Sequence, residues 1–396
     1  MNFKRRDLLL GLAFIALIVG VILWQGRGKT APPASRPERE LAARPSKPTT
    51  RVEAGNKKDL LAVEIPAHSE SPDAATADLI ALSLEKFRSA KDVKESLTIL
   101  NALRDGIRQA PEDGAAKAIL DFLKSGEDAS THLPFIVGAQ GAMESSPTLR
   151  TALLDLLPSL DPTAALDVAR ELMDRKSSPD EYALSLRNMA WNDLDGDLKK
   201  ELASRLDAML QVPDWLATPS AGFLEGFDVA VEISDLRSFK QMLGLVRNDP
   251  GEAAKSLARA SFIALDRMIL RNPSLLTDAA AQDPAFLDAA PQQRASLMSR
   301  LDLTVPDQRT LFIRYLSQPN HGPEEMDYFA EIFPNGNYLD GHRLVTTGED
   351  THTIASRQQA DRDALREIEK MSASPGTTAV LARIRERLKE FTDEAK

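Results

Sequence analysis

The sequence contains no cysteine and only five histidines among 396 residues. The lack of cysteine excludes disulfide bonds, thiolate zinc sites, iron–sulfur clusters and a lipid attached through a cysteine near the amino end. A glycine-rich phosphate loop, an H-E-x-x-H zinc motif and a G-x-S-x-G nucleophile elbow are absent from the sequence as well. We therefore predict no cofactor and no metal site, and no motif identifies a catalytic residue.

Charge is distributed unevenly along the chain. Residues 1–72 hold 12 basic and 7 acidic residues, whereas residues 73–396 hold 37 basic and 52 acidic residues. An acidic body repels the phosphate backbone of DNA and RNA. We therefore expect no nucleic-acid partner.

The long apolar run of the sequence lies near its amino end. Residues 8–26 are uncharged, and as a helix they would span about 28 Å, close to the roughly 30 Å hydrocarbon core of a bilayer. Lys4, Arg5 and Arg6 precede this run. We predict an uncleaved signal anchor at residues 8–26, with residues 1–7 as a cytoplasmic tail and the rest of the chain outside. A cleaved signal peptide is the alternative.

The expected location is the inner membrane of a bacterial cell, with a single span and an extracytoplasmic carboxyl-terminal domain. The sequence contains no N-x-S/T site for an N-linked glycan, which mildly favours a bacterial envelope over a glycosylated cell surface.

Residues 27–72 are rich in proline and basic residues and contain few large apolar ones. Such a composition cannot bury enough apolar surface to offset the entropy of ordering, so we predict a disordered linker. Its main role would be that of a spacer. Contact between its basic residues and anionic lipid head groups is the alternative.

The body, residues 73–333, has apolar residues at helical spacing and almost no strand-like alternation. Three dipeptides combine a capping side chain with a following proline: Ser146-Pro147, Asp161-Pro162 and Ser178-Pro179. This order favours a helix that begins at each proline. The prolines are 15 and 17 residues apart, so each interval holds a short helix and a turn. A pair of such helices can bury its apolar face only by stacking on neighbouring pairs.

The same proline spacing returns 144 residues later, at Pro291, Pro306 and Pro323. The segments 147–181 and 291–325 share nine residues of 35, which are the pairs Pro147/Pro291, Arg150/Arg294, Leu153/Leu297, Leu157/Leu301, Pro162/Pro306, Arg170/Arg314, Leu172/Leu316, Pro179/Pro323 and Glu181/Glu325. We interpret them as two copies of one arrangement of short helices.

Short paired helices with Asp-Pro and Ser-Pro starts resemble the HEAT-like class of α-helical repeat proteins, over roughly residues 79–333. The resemblance implies a stacked array that offers a binding surface, and it transfers no functional residue. The predicted fold class is therefore all-α, with stacked antiparallel helix pairs in a HEAT-like solenoid behind a transmembrane helix and a disordered linker.

Residues 212–235 interrupt the regular helices and bring together Trp215, Phe223 and Phe227. Gly222 and Gly226 are four residues apart, so on a helix they would let another backbone approach closely. We expect core packing between the two halves of the body. A groove for an aromatic ligand or a peptide is the alternative.

Residues 334–352 are the clearest departure from helical sequence, because Asn335-Gly336 and Asp340-Gly341 are turn dipeptides. We predict a loop or a small hairpin there. Long loops of this kind are often functional, so we expect it to form a protein-contact surface. The candidate contact residues are Asn335, Asn337, Tyr338, Asp340, His342 and Arg343.

Residues 353–396 are predicted to form a helical hairpin that caps the array, or alternatively a pair of helices through which the protein forms a homo-oligomer. Three functions follow as hypotheses. The main one is a protein-binding or scaffolding module tethered to the membrane through residues 8–26. An envelope enzyme that acts on cell-wall polymers and a structural oligomer are the alternatives, because carboxylate pairs of glycosidase type leave little local signature.

Overall fold

The computed structural model describes residues 72–193, 195–246, 251–282, 291–318, 321–336, 341–346, 353–372 and 376–393. The chain is all-α in these residues apart from a short two-stranded hairpin and a single β-bridge. The predicted tail, anchor and nearly all of the linker lie outside them. None of the helices in the described residues is long and apolar enough to cross a membrane.

The described residues form eighteen α-helices, numbered here in chain order. The first nine are α1 (Pro72–Ser89), α2 (Val93–Gln109), α3 (Glu112–Ser125), α4 (Leu149–Leu160), α5 (Pro162–Arg175), α6 (Pro179–Trp191), α7 (Lys199–Leu210), α8 (Pro213–Ala217) and α9 (Ala221–Glu225). The others are α10 (Asp228–Ile233), α11 (Leu236–Val246), α12 (Glu252–Arg271), α13 (Ser274–Gln282), α14 (Pro291–Met298), α15 (Pro306–Leu316), α16 (Pro323–Ile332), α17 (Ile354–Lys370) and α18 (Thr378–Asp393). The strands are β1 (Ile136–Val137) and β2 (Met143–Ser145).

Most of the predicted helix starts are confirmed. Pro162, Pro179, Pro306 and Pro323 each occupy the first turn of a helix, where a missing N–H removes no hydrogen bond. The start predicted at Pro147 is wrong by two residues. Thr148 is the capping residue of α4, and the Pro147 carbonyl instead accepts the N–H of Thr131 at 3.0 Å.

From α10 onward, helices two apart in the chain pack on each other. Helix α10 packs on α12, α12 on α14, α14 on α16 and α16 on α18, while α11 packs on α13 and α13 on α15. Helix α11 also packs along α12, and α17 along α18. The chain therefore alternates between two rows of helices in this part of the body. Helices α4 and α6 make the same alternate contact nearer the amino end.

The two matched segments carry the same buried ion pair. Arg150 Nε lies 2.7 Å from Glu181 Oε1, and Arg294 Nε lies 2.6 Å from Glu325 Oε1. A second bond in each pair joins Nη2 to Oε2, so both guanidinium groups bind their carboxylates through two nitrogens. Each pair joins alternate helices, α4 to α6 and α14 to α16.

The aromatic residues of the 212–235 interruption lie in the core, as expected. Trp215 and Phe223 pack edge to face with ring centroids 6.3 Å apart, and Phe223 and Phe227 do so at 5.5 Å. Gly222 lies against α6, where a β-carbon would meet Asp180 Oδ1 at 2.4 Å and Phe135 at 2.8 Å. Glycine at this position therefore allows the close approach of the two backbones.

The carboxyl-terminal helices pack within the same chain. Leu381, Ile384 and Leu388 are buried on α18. Arg383 forms ion pairs with Asp327 and Glu331 of α16. The apolar stripe of α18 that could have joined two chains is therefore largely buried by contacts within one chain.

Candidate functional site

The predicted contact loop follows α16, and three of its six candidate residues are described. Asn335, His342 and Arg343 belong to them, whereas Asn337, Tyr338 and Asp340 lie outside the described residues. Asn335 is bound through both its backbone N–H and its backbone carbonyl. Its N–H donates to Ser299 O at 2.8 Å, and its carbonyl accepts from Arg300 Nη1 at 2.7 Å.

Residues 341–346, called the strap here, lie against the body. Leu344 is fully buried, and Val345 and Thr346 are also buried. His342 and Arg343 are half-buried. The strap therefore combines core residues with the two candidate contact residues that it contains.

Asp228, the first residue of α10, binds the end of the strap. Its Oδ2 accepts the N–H groups of Val345 at 2.8 Å and Thr346 at 2.7 Å. Its Oδ1 accepts the Thr346 hydroxyl at 2.6 Å and Arg267 Nη1 at 2.6 Å. Burial raises the pKa of the Asp228 carboxyl, and the charge of Arg267 opposes this rise. The four donors match the acceptor capacity of an ionised carboxylate.

Arg267 of α12 binds the beginning of the strap as well as its end. Its Nη1 donates to the carbonyl of Gly341 at 3.1 Å and also to that of His342. Its Nη2 donates to the hydroxyl of Thr346. Because Arg267 is also the ion-pair partner of Asp228, one buried pair binds both ends of the strap.

Glu225, at the end of α9, binds the middle of the strap. One carboxylate oxygen accepts the backbone N–H of Arg343 at 3.2 Å. The other lies 3.4 Å from Nδ1 of His342, a weak contact at the outer limit of hydrogen-bond distance. The backbone of Arg343 is therefore held by Glu225, and the His342 ring lies beside the same carboxylate without a hydrogen bond at Nδ1.

The far side of the strap meets the loop of the β1–β2 hairpin. Gly141 has a φ of +76°, and a β-carbon there would lie 2.4 Å from the carbonyl oxygen of Leu344 and 2.9 Å from the Trp191 ring. The left-handed backbone and the close contact both favour glycine at this position. Two loops that are some 200 residues apart in sequence thus meet at Gly141 and Leu344.

The hairpin is held by buried arginines in the same way. Arg187 donates to Gly141 O at 2.8 Å and to Asp155 Oδ1 at 2.6 Å, and it stacks on Trp191 at 4.2 Å from the ring centroid. Arg104 donates to the carbonyls of residues 143 and 144 at 2.8 and 2.9 Å. Burial lowers the pKa of both guanidinium groups below the usual arginine value, although Asp155 opposes the effect.

Three buried ion pairs of this region share one design. Each joins an aspartate to an arginine from a later part of the chain, and each arginine also binds a loop carbonyl. The pairs are Asp155–Arg187 with Gly141 O, Asp228–Arg267 with Gly341 O, and Asp266–Arg300 with Asn335 O. Buried charges of this kind are costly unless they are fully hydrogen-bonded. The pairs and the loops therefore support each other.

Sequence reasoning did not single out these ion pairs. One signal was available, since Asp228 stands inside the apolar run F-D-V-A-V and Arg267 inside I-A-L-D-R-M-I-L. A charged residue in an apolar helical run is buried on one face and needs a partner. The pattern could have predicted buried ion pairs, but it could not have named their partners.

The chemistry of the site is that of main-chain recognition. The body binds five backbone groups of the strap and one hydroxyl, through two carboxylates and one guanidinium group. In the part of the chain that the structure describes, no three histidine, aspartate or glutamate side chains lie close enough together to hold a metal ion.

A shallow open groove between α11 and α13 is a second surface feature. Its lining includes Arg237 and Lys240. Arg237 forms an ion pair with Asp207, and Lys240 donates to Gln282 at 2.9 Å. The basic groups of this groove are thus occupied by contacts within the chain.

No family model, no curated protein and no solved structure matches the chain.

Proposed function

We propose that the chain is a membrane-tethered helical-repeat protein that acts as a protein-binding or scaffolding module in a bacterial cell envelope. The observation that carries the proposal is the alternating contact of helices from α10 to α18, together with the ion pair that recurs in the two matched segments. Both features support stacked antiparallel helix pairs of the HEAT-like kind. Such arrays offer extended rigid surfaces for partner proteins.

Tethering supplies the mechanism. A membrane helix at residues 8–26 and a flexible linker at residues 27–72 would confine the array to a layer next to the membrane. A flexible coil of 46 residues averages about 35–40 Å from end to end. This confinement raises the effective concentration of the array for partners in the same membrane.

The contact surface is proposed to include the loop at residues 334–352. Its described parts are bound by residues 299 and 300, which follow α14, and by α9, α10 and α12, so Asn335, His342 and Arg343 are presented on a fixed support. Residues 337–340, with Asn337, Tyr338 and Asp340, connect the two anchored parts. A surface held by a rigid scaffold loses little entropy when a partner binds.

The test is crosslinking in intact cells, followed by affinity capture of the full-length protein. The test variant replaces Asn337, Tyr338 and Asp340 by alanine. The matched control replaces Lys94, Lys117 and Asp121, three exposed helical residues. A discrete protein captured by the wild type and the control, but lost with the test variant, supports the module and its contact loop.

Failure of the wild type, the control and the test variant to capture a partner would count against a scaffolding function. Fractionation and protease protection of the same cells test the anchor separately, since the proposal expects the body to sediment with membranes and to be accessible from outside. Light scattering of the purified chain tests self-association, the basis of the structural-oligomer alternative.

A further inference from the structure

Most of the hydrogen bonds that hold the strap involve its main chain. The body accepts the N–H groups of residues 343, 345 and 346 and donates to the carbonyls of residues 341 and 342. These groups belong to the backbone, so most side chains of the segment contribute little to this part of the binding. The strap is bent and not extended, because His342 has a φ of +52° and residues 344–346 form a bend.

Two side chains of the strap add selectivity. Leu344 is fully buried. The hydroxyl of Thr346 donates to Asp228 and accepts from Arg267, so it completes the buried ion pair. Valine has nearly the shape of threonine but could form neither bond. The site therefore selects segments in which a leucine is followed two residues later by a threonine.

We propose that Glu225, Asp228 and Arg267 form a recognition site for the main chain of a protein segment of the form Leu-x-Thr, and that the strap is its resident intramolecular ligand. A segment of a partner protein with the same pattern satisfies the same groups once the strap has left. The inference rests on the proposed protein-binding function and names the site and the partner class.

The resident strap competes with a partner segment and thereby lowers the apparent affinity of that segment for the site. A tethered segment acts at an effective concentration in the millimolar range. A free segment of equal intrinsic affinity therefore binds weakly to the intact protein and much more tightly when the strap is removed. This competition gives the proposal a measurable signature.

The experiment uses the full-length protein in detergent and a fluorescent peptide with the sequence of residues 339–348, LDGHRLVTTG. In the first variant, residues 341–346 are replaced by a Gly/Ser sequence of equal length. Fluorescence anisotropy should show saturable binding to this variant, and binding to the wild type at least about tenfold weaker. Circular dichroism verifies that each variant remains helical.

Two changes test the chemistry of the site. Asp228→Asn in the strap-replaced chain, and Thr346→Val in the peptide, should each weaken binding about tenfold or more, because each removes bonds to a charged group. A peptide with Val345→Ala is the comparison for lost buried volume, since it shortens a buried side chain but keeps the backbone N–H that Asp228 accepts. It should weaken binding less than Thr346→Val, because every bond to the charged groups is retained.

Absence of peptide binding to a folded strap-replaced chain would overturn the proposal, and so would binding that survives both Asp228→Asn and Thr346→Val. If the strap-replaced chain fails to fold, Leu344→Ala in the full-length protein provides a second measurement. Excess peptide should then slow amide exchange at Glu225 and Asp228 without slowing it in the strap, and unchanged exchange would refute the site. Capture of a cellular partner together with a negative peptide result would leave the proposed function standing and place its contact elsewhere.

Discussion

The two matched segments use the same ion pair in different surroundings. In the first, the third guanidinium nitrogen of Arg150 donates to Leu123 O of α3 at 2.8 Å. In the second, the carboxylate of Glu325 also accepts the Tyr315 hydroxyl at 2.8 Å and lies 3.2 Å from His321 Nδ1. The first pair is supported through its arginine by a neighbouring helix, and the second through its glutamate by nearby side chains.

The sequence positions that correspond to these supporting residues differ in chemistry. Tyr315 corresponds to Glu171, and His321 to Ser177, both of which are exposed. His321 is packed against Tyr315, with ring centroids 4.5 Å apart. The comparison shows that a repeated ion pair does not specify its own environment. Each copy satisfies the buried charges with whatever the adjoining chain provides.

The largest expected effect is the loss of either arginine. Arg150→Met leaves the buried carboxylate of Glu181 without its cation, which costs about 3–5 kcal/mol of unfolding free energy. Arg294→Met should cost about 2 kcal/mol, because Glu325 retains Tyr315 and His321. Urea-induced unfolding of residues 63–396, a compact unit, measures both values. Equal losses would show that the surroundings of the two pairs do not matter.

Tyr315→Phe should have the next largest effect, about 1.5 kcal/mol, since it removes a hydrogen bond to a charged acceptor. The variant makes the second copy resemble the first, in which no tyrosine supports the glutamate. Tyr328→Phe is the matched control, because its hydroxyl has only a long contact, 3.3 Å, with Ser296. A loss as large in the control as in Tyr315→Phe would contradict the role of Tyr315.

The pH dependence of stability sharpens the comparison further. Burial tends to raise the pKa of Glu325, but hydrogen bonds from Arg294 and Tyr315 outweigh it, so the pKa lies below the usual glutamate value. A lowered pKa in the folded state stabilises the protein at every pH above the unfolded pKa of about 4.3. This stabilisation is lost as the pH falls through the folded pKa.

The measurement is the difference in unfolding free energy between the wild type and Glu325→Gln, followed from pH 7 downward. We expect the difference to be largest at neutral pH and to shrink below about pH 4.3. The same pair of proteins in the Arg294→Met background serves as the control, in which the dependence should be flatter. A difference that grows as the pH falls would have the wrong sign and would refute the assignment.

The smallest effects are expected at Arg170 and Arg314, which also correspond in the two segments. Arg170 pairs with Glu201 at 37% and 30% side-chain exposure, and Arg314 donates to Ala280 O at 3.1 Å. Partly exposed contacts contribute little, so alanine at either position should cost about 0.5 kcal/mol. A loss above about 2 kcal/mol at either position would show that these outer contacts of arginine also support the array.

Much of the helical framework was predictable because its signals are local. The prolines at 162, 179, 306 and 323 start helices, since proline suits the first helical turn wherever it occurs. The match of Arg150 with Arg294 and of Glu181 with Glu325 was visible as well. The sequence did not show that each arginine binds a glutamate 31 residues further on, because this spacing depends on how alternate helices stack.

The candidate site was predictable only in outline. Turn dipeptides at residues 335–336 and 340–341 predicted a loop in this part of the sequence. They could not show that Leu344 is a core residue, or that the β1–β2 hairpin faces it. The hairpin itself was missed because strands of two and three residues leave no periodic signal.

The sequence by itself determined the helical class and most helix starts, because periodicity, capping and proline geometry act within one or two turns of chain. Only the tertiary structure decided which of the 59 acidic residues meet the strap. Asp228 and Thr346 are 118 residues apart, and their contact exists only after α9, α10 and α12 have packed. A charged residue in an apolar run indicates that a partner is needed, but the packing of the helices determines which residue that partner is.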